Sequence, residues 1–252
     1  MSTARTSLIV FCRSMRYTLR NPAWLIAGLI QPLLYLLLFG PLLAKLTAVP
    51  GFGSNPWRVF VPGLLVQQSV FASVFVGFGV IAEMRSGVLD RMRVTAASEL
   101  GLLIGRVLRD VAVLTVQAAI LVLGSLAAGL RASIGGVLLA FALLAVLGIA
   151  MSALSYGLAL RLRVEEAFGQ IVNSLTLPAL LLSGVLLPMT LAPAWLSDLS
   201  DANPLAHVVT GARALFDGRL SSTDALAGAS VAAGLAVLTL WFGLRSIRSD
   251  AS

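Results

Sequence analysis

Six long stretches of the chain contain no Asp, Glu, Lys, Arg or His: 22–44, 59–82, 111–130, 132–160, 167–187 and 225–244. A helix rises about 1.5 Å per residue, so about 20 apolar residues cross the roughly 30 Å of a bilayer's hydrocarbon. The rest of the chain cannot hide these stretches in water. Of 252 residues 58% are hydrophobic and 12% charged, against about 45–50% and about 25% in a soluble domain, and a polar skin cannot be made from so few charges. The expectation is an all-α membrane protein with six transmembrane helices in one domain, 1–252. Pro188 and Pro193 remove backbone donors and close the fifth span.

The basic residues orient those spans. If the N-terminus is cytoplasmic, the inner segments hold Arg5, Arg13, Arg16, Arg20, Arg85, Arg91, Arg93, Arg106, Arg109, Arg161, Arg163, Arg245 and Arg248, and the outer ones only Lys45, Arg58, Arg131, Arg213 and Arg219. Thirteen against five places both termini in the cytoplasm of a multi-pass protein of the cell membrane. The net charge of +7 is thereby accounted for by loops, with no basic stripe for nucleic acid. The first apolar run is longer than the roughly 7–15 residues of a cleavable signal, so it is expected to stay as a span.

Several chemistries are excluded. Cys12 is the only cysteine and His207 the only histidine, which removes a disulfide framework, a Cys/His metal site and a Cys-His nucleophile. Lys45, the only lysine, follows Gly40-Pro41-Leu42-Leu43-Ala44 and precedes Leu46, without the preceding Gly or following Ser/Thr that a phosphate loop needs. No enzyme activity and no cofactor bound by this chain are expected. The spans also lack the ionisable residue that an ion-coupled transporter keeps at mid-membrane, so energy for transport is expected from another polypeptide.

Between the spans, Leu8, Phe11, Met15 and Leu19 recur at helical spacing within 1–21 while Arg13, Arg16 and Arg20 share another face, predicting an amphipathic helix at the membrane interface. The segment 83–110 is the most charged, with Glu83, Arg85, Asp90, Arg91 and Arg93 beside exposed apolar Val88, Leu89 and Met92; it suits either a solvated connector or a docking helix for another protein. The segment 188–224 carries Pro188, Pro193, Trp195, Asn203, Pro204 and Arg213, with Trp195 suited to the headgroup region and Pro204 to starting or redirecting a helix. Inside the spans Gln31, Gln67, Gln68, Gln117, Gln170 and Asn173 are costly in lipid, so they mark interhelical hydrogen bonds or a substrate path, with Gln67, Gln68, Gln170 and Asn173 as the candidates for the path. Gln170 and Asn173 share a helix face, whereas Gln67 and Gln68 point about 100° apart.

Three of these segments, in order, resemble the permease subunits of ABC-2 type exporters, especially the daunorubicin-resistance-like drug exporters. They are Arg16, Arg20-Asn21-Pro22, Gln31-Pro32 and Leu38-Phe39-Gly40; then Glu83, Arg85, Gly87, Asp90, Arg91 and Arg93; then Ser183-Gly184, Pro188, Pro193, Trp195, Asn203-Pro204 and Arg213. The chain departs at Ala96, where many relatives carry proline after the equivalent of Arg93-Val94-Thr95. The resemblance implies a cytoplasmic coupling helix in 83–110 and an external re-entrant region in 188–224, with Gly184 just ahead of it. It also implies a separate ATP-binding subunit carrying ATP and Mg, a second permease subunit as homodimer or heterodimer, and export of an amphipathic drug-like or lipid-like compound. A polysaccharide or lipid-linked glycan exporter, or a scaffold without transport, are the alternatives.

Overall fold

A computed structural model describes residues 2–20, 23–43, 55–87, 99–185, 189 and 192–250, and what it describes is helical with no strand. The helices are α1 (Thr3–Arg20), α2 (Ala23–Leu43), α3 (Trp57–Arg85), α4 (Glu99–Ala127), α5 (Ile134–Leu162), α6 (Glu165–Leu182), α7 (Ala194–Asp201), α8 (Pro204–Phe216) and α9 (Thr223–Asp250). By length and composition α3, α4, α5 and α9 can cross a membrane; α2 contributes the shorter apolar run Gly28–Gly40. Asp90, Arg91, Arg93, Ala96 and Pro188, expected in the coupling and re-entrant segments, lie outside the described residues.

Helix ends follow local chemistry. Ser133 caps α5 by accepting the Gly136 amide at 3.1 Å, and Asn203 caps α8 by accepting from Leu205 at 3.0 Å. Pro204 occupies the first turn of α8, where its missing N–H costs nothing. After α3 the chain turns at Gly87, whose positive φ suits a residue without Cβ.

Two differences from expectation have physical causes. The helix that carries the apolar run 111–130 begins not near Val111 but at Glu99, and in its first turns Arg106 pairs with Glu83 and Arg109 with Asp110. The charged connector is correspondingly shorter than 83–110, since Glu83 and Arg85 still belong to α3 and Arg106, Arg109 and Asp110 to α4. In α1 the packed residues are Thr6, Ser7 and Val10, with Ser7 and Val10 against Gly105 of α4, while the predicted stripe is exposed at Leu8 (63%) and Leu19 (69%) and half-buried at Phe11 and Met15. Small residues allow the closer approach, leaving Leu8 and Leu19 free for lipid.

The core sits among α3, α5, α8 and α9. Phe60, Leu64, Leu147, Val208 and Phe216 are buried in one cluster, while Ile81, Leu103, Leu160 and Phe168 form a second beside α6. Glycines set the distances: α8 meets α9 where Gly211 faces Gly228, and α5 meets α9 where Gly157 lies under Phe242. A Cβ on Gly63 of α3 would collide with the Val185 carbonyl, and one on Gly77 with the ring of Phe168. Arg161 near the end of α5 donates to Ser246 of α9 at 3.1 Å and lies over the Phe242 ring, so the last helix returns to the end of the bundle where α1 packs.

Candidate substrate cavity and its charged rim

A cavity of about 850 Å³ opens between α1, α2, α3 and α4. Its apolar walls come largely from Phe71, Phe75, Val76 and Phe78 of α3 and Leu114 of α4. Polar groups gather along the same walls: Gln67, Gln68, Ser69 and Ser73 on α3, Gln117 on α4, Gln31 and Tyr35 on α2. Gln68 and Gln117 are 4% and 3% exposed, and the Gln68 amide donates to Gln117 Oε1 at 3.0 Å, tying α3 to α4. Ser69 and Ser73 return their hydroxyls to carbonyls one turn back, at Leu65 and Ser69, which removes their cost in an apolar setting. Gly28 lets α2 approach, since a Cβ there would come within 2.7 Å of Gln117 Nε2.

Charged residues ring the cavity at the α1 end. Glu83 of α3 pairs with Arg106 of α4 at 2.5 Å, Arg109 with its neighbour Asp110 at 3.2 Å, and Arg85 with Glu165 of α6 at 3.0 Å. Arg106 is nearly buried and also faces the Tyr156 ring, so its charge is held by both a carboxylate and a π-face. Arg85 and Glu165 are both substantially exposed, so solvent screens that pair. Arg13 of α1 reaches the cavity from an exposed position.

The opposite end is held differently. Arg213 of α8 donates through Nε to the Val59 carbonyl at 2.9 Å and through Nη2 to Gly184 and Val185 at 2.7 and 3.2 Å. Burial lowers its pKa to about 10, against the opposing pull of Asp217, so the guanidinium is charged at neutral pH. Asn203 donates to the Ala179 carbonyl at 2.6 Å while capping α8. These two side chains satisfy backbone carbonyls at and just beyond the end of α6, and Arg213 adds a bond to a carbonyl in the first turn of α3, which ties the two segments together. Trp195 of α7 is largely exposed.

The ABC-2 type transporter family profile matches residues 7–216, through the cavity, the rim and the Arg213 clamp alike. The chain belongs to the ABC-2 type transporter family. It is similar to the daunorubicin resistance ABC transporter permease protein DrrB1 of Streptomyces coeruleorubidus, 28% identical over 94% of this chain and 84% of that protein. It is also similar to the putative transport permease ycf38 of Porphyra purpurea, 30% identical over 81% of this chain and 70% of that one, and to that of Cyanophora paradoxa, 28% identical over 78% and 69%.

Within this ABC-2 chain the predicted residues separate. Gln67 and Gln68 both line the cavity despite their angular difference, because it wraps around α3. Gln170 and Asn173 lie on α6 and do not line it. Glu83 faces the cavity and Arg85 the neighbouring α6; Gly87 forms the turn after them. Gly184, Arg213, Asn203 and Pro204 come together at the far end, with Pro193 preceding α7. Arg106, Arg109 and Asp110 are site residues that the sequence does not single out. A signal was present: Asp110, Leu114 and Gln117 recur at four and three residues and so occupy one face of α4.

Proposed function

We propose that the chain is the permease subunit of an ATP-driven exporter and that an amphipathic compound occupies the cavity between α1, α2, α3 and α4. The observation that carries this reading is the cavity itself, roomy enough for a drug-sized molecule, with aromatic walls, buried amides and ion pairs at one edge, in a chain of a transporter family. The similarity to a daunorubicin resistance permease supports a drug-like cargo.

In this reading the Arg-rich end is cytoplasmic, six helices (α2, α3, α4, α5, α6 and α9) span the membrane, α1 lies at the inner interface, and α7 and α8 form the external re-entrant region. A separate ATP-binding subunit carries ATP and Mg and docks at the segment after Glu83, including Asp90, Arg91 and Arg93. A second permease subunit completes the transporter. Glu83, in the last turns of α3, pairs with Arg106 on the cavity's rim, so a push on the end of α3 reaches α4 through one ion pair.

Reconstitution tests the proposal. The chain alone should hydrolyse no ATP, and its complex with the cognate ATP-binding subunit in lipid should hydrolyse ATP faster when amphipathic compounds are added. A complex that forms but whose hydrolysis ignores every amphipath tested, with no movement of compound across the bilayer, would favour a scaffold without transport.

A further inference from the structure

Gln170 and Asn173 of α6 are exposed, stand outside the cavity and make no hydrogen bond to any described residue. The other amides on the proposed spans are accommodated. Among the described residues Gln67, Gln68 and Gln117 are buried, and Gln31 donates to the Tyr35 hydroxyl at 3.4 Å. Thr115 and Ser230, exposed on α4 and α9, return their hydroxyls to carbonyls of their own helices, at Val111 and Ala227. Asn173 lies well beyond Glu165, where α6 begins, about 12 Å along the axis and inside a hydrocarbon layer of about 30 Å. An amide that meets lipid tails there bears the cost of desolvation with no partner to offset it. Ser174, Leu177 and Leu181 continue the same exposed face. With Gln170 and Asn173 they fall within an arc of about 100° on α6. Gln170, Ser174, Leu177 and Leu181 also follow the alternating four- and three-residue spacing along which two helices pack.

We infer that this face of α6 is the contact with a second copy of the same chain, Asn173 of one copy bonding to Asn173 of the other and Gln170 to Gln170. The inference rests on the two-permease reading above and makes the pair a homodimer. Two copies inserted in one membrane with the same orientation are related by a twofold axis along the membrane normal, so α6 and its counterpart run parallel and each residue near the axis meets its own equivalent. A face that pairs with itself needs side chains that both donate and accept. A primary amide does so, with two N–H donors and an acceptor oxygen, whereas a charge at the axis would repel its copy. Leu177 and Leu181 meet their own equivalents and supply the packing that accompanies such bonds within a membrane.

Disulfide cross-linking in native membranes tests the contact. In a Cys12→Ser background the full chain, coexpressed with its ATP-binding subunit, carries one cysteine at a time: Asn173→Cys, Leu177→Cys or, on the outward face of α9, Val237→Cys. All three positions are exposed, so the substitutions leave the fold intact. Copper phenanthroline should convert Asn173→Cys and Leu177→Cys to a covalent dimer of this chain and leave Val237→Cys monomeric on a non-reducing gel. Affinity is read separately, by energy transfer between full-length chains labelled at the exposed Cys12 with donor or acceptor and diluted with lipid in liposomes. Asn173→Leu should weaken the dimer about threefold or more, and Asn173→Gln, which keeps an amide, should weaken it less. Dimers that cross-link through Val237→Cys and not through α6, or an Asn173→Leu dimer as tight as wild type, overturn the inference and leave a two-permease exporter in place. A wild-type chain that stays monomeric at every dilution overturns it as well; amphipath-stimulated ATP hydrolysis by the reconstituted complex then shows whether the exporter reading stands with a different second permease.

Discussion

The two ends of the bundle treat buried polar groups in opposite ways. Around α8 the strong donors are matched with acceptors: Arg213 takes three carbonyls and Asn203 both caps α8 and holds Ala179. Glycines there bring backbones into contact, as at Gly63 against Val185 and Gly211 against Gly228. Around the cavity, α3 and α4 are joined by an amide pair and an ion pair, phenylalanines of α3 line a large void, and the buried oxygens Gln68 Oε1 and Asp110 Oδ2 have no donor among the described residues. Satisfied polar groups and close backbones make one end a rigid support; a large void with aromatic walls makes the other fit to receive a molecule.

The sharpest way to break this contrast is to add bulk on each side of it. Gly63→Val has to move the Val185 backbone, and we expect it to abolish recovery of monodisperse protein in detergent. Gly79→Val on the same helix meets nothing within 4 Å and should be recovered as wild type. Similar behaviour of the two variants in size-exclusion chromatography would erase the distinction between the regions.

Next in size is the clamp. Arg213→Ala strips donors from the carbonyls of Val59, Gly184 and Val185. It should cost on the order of 3 kcal/mol, visible as a lowered thermal midpoint. Arg13→Ala at the exposed edge of the cavity should leave that midpoint unchanged.

The rim comes last. Glu83→Ala removes the carboxylate from a nearly buried guanidinium. The cost should be about 2 kcal/mol, between the values for exposed and buried pairs. In the reconstituted complex it should also reduce substrate-stimulated ATP hydrolysis while leaving membrane insertion intact. Arg85→Ala breaks an exposed pair, and should shift stability by less than about 1 kcal/mol. Normal stimulation in Glu83→Ala would make the end of α3 a solvated connector.

Helices were readable in the sequence because lipid imposes a simple rule, a charge-free run long enough to cross the hydrocarbon. The helices α3, α5 and α9 lie on three of those runs. The run 111–130 also lies largely on α4, but not where that helix begins: its first turns are charged, with Arg106 paired to Glu83 of another helix and Arg109 to Asp110, and a pairing between helices leaves no mark in a one-dimensional run. For the same reason the cavity was only half legible. Gln67 and Gln68 could be suspected singly, but their relation to Gln117 and Asp110 depends on how α3 and α4 cross, which no one-dimensional spacing encodes. Gln170 and Asn173 had an equally good pattern and stand outside the cavity. Arg213 was marked by resemblance, yet its three acceptors come from segments distant in the chain, beside Val59 and Gly184.

One end of the bundle is a cavity that admits a ligand and the other a closed support, and site-directed labelling measures that difference directly. In a Cys12→Ser background, Ser73→Cys places a thiol on the cavity wall, and Ser125→Cys places one at a fully buried position of α4 outside it. Both are tested in the full chain in nanodiscs with a small maleimide. Ser73→Cys should be modified, and rhodamine 123 should slow its modification; Ser125→Cys should resist with or without the dye. Equal labelling at the two positions, or labelling of Ser73→Cys that the dye does not slow, would contradict this division of the molecule.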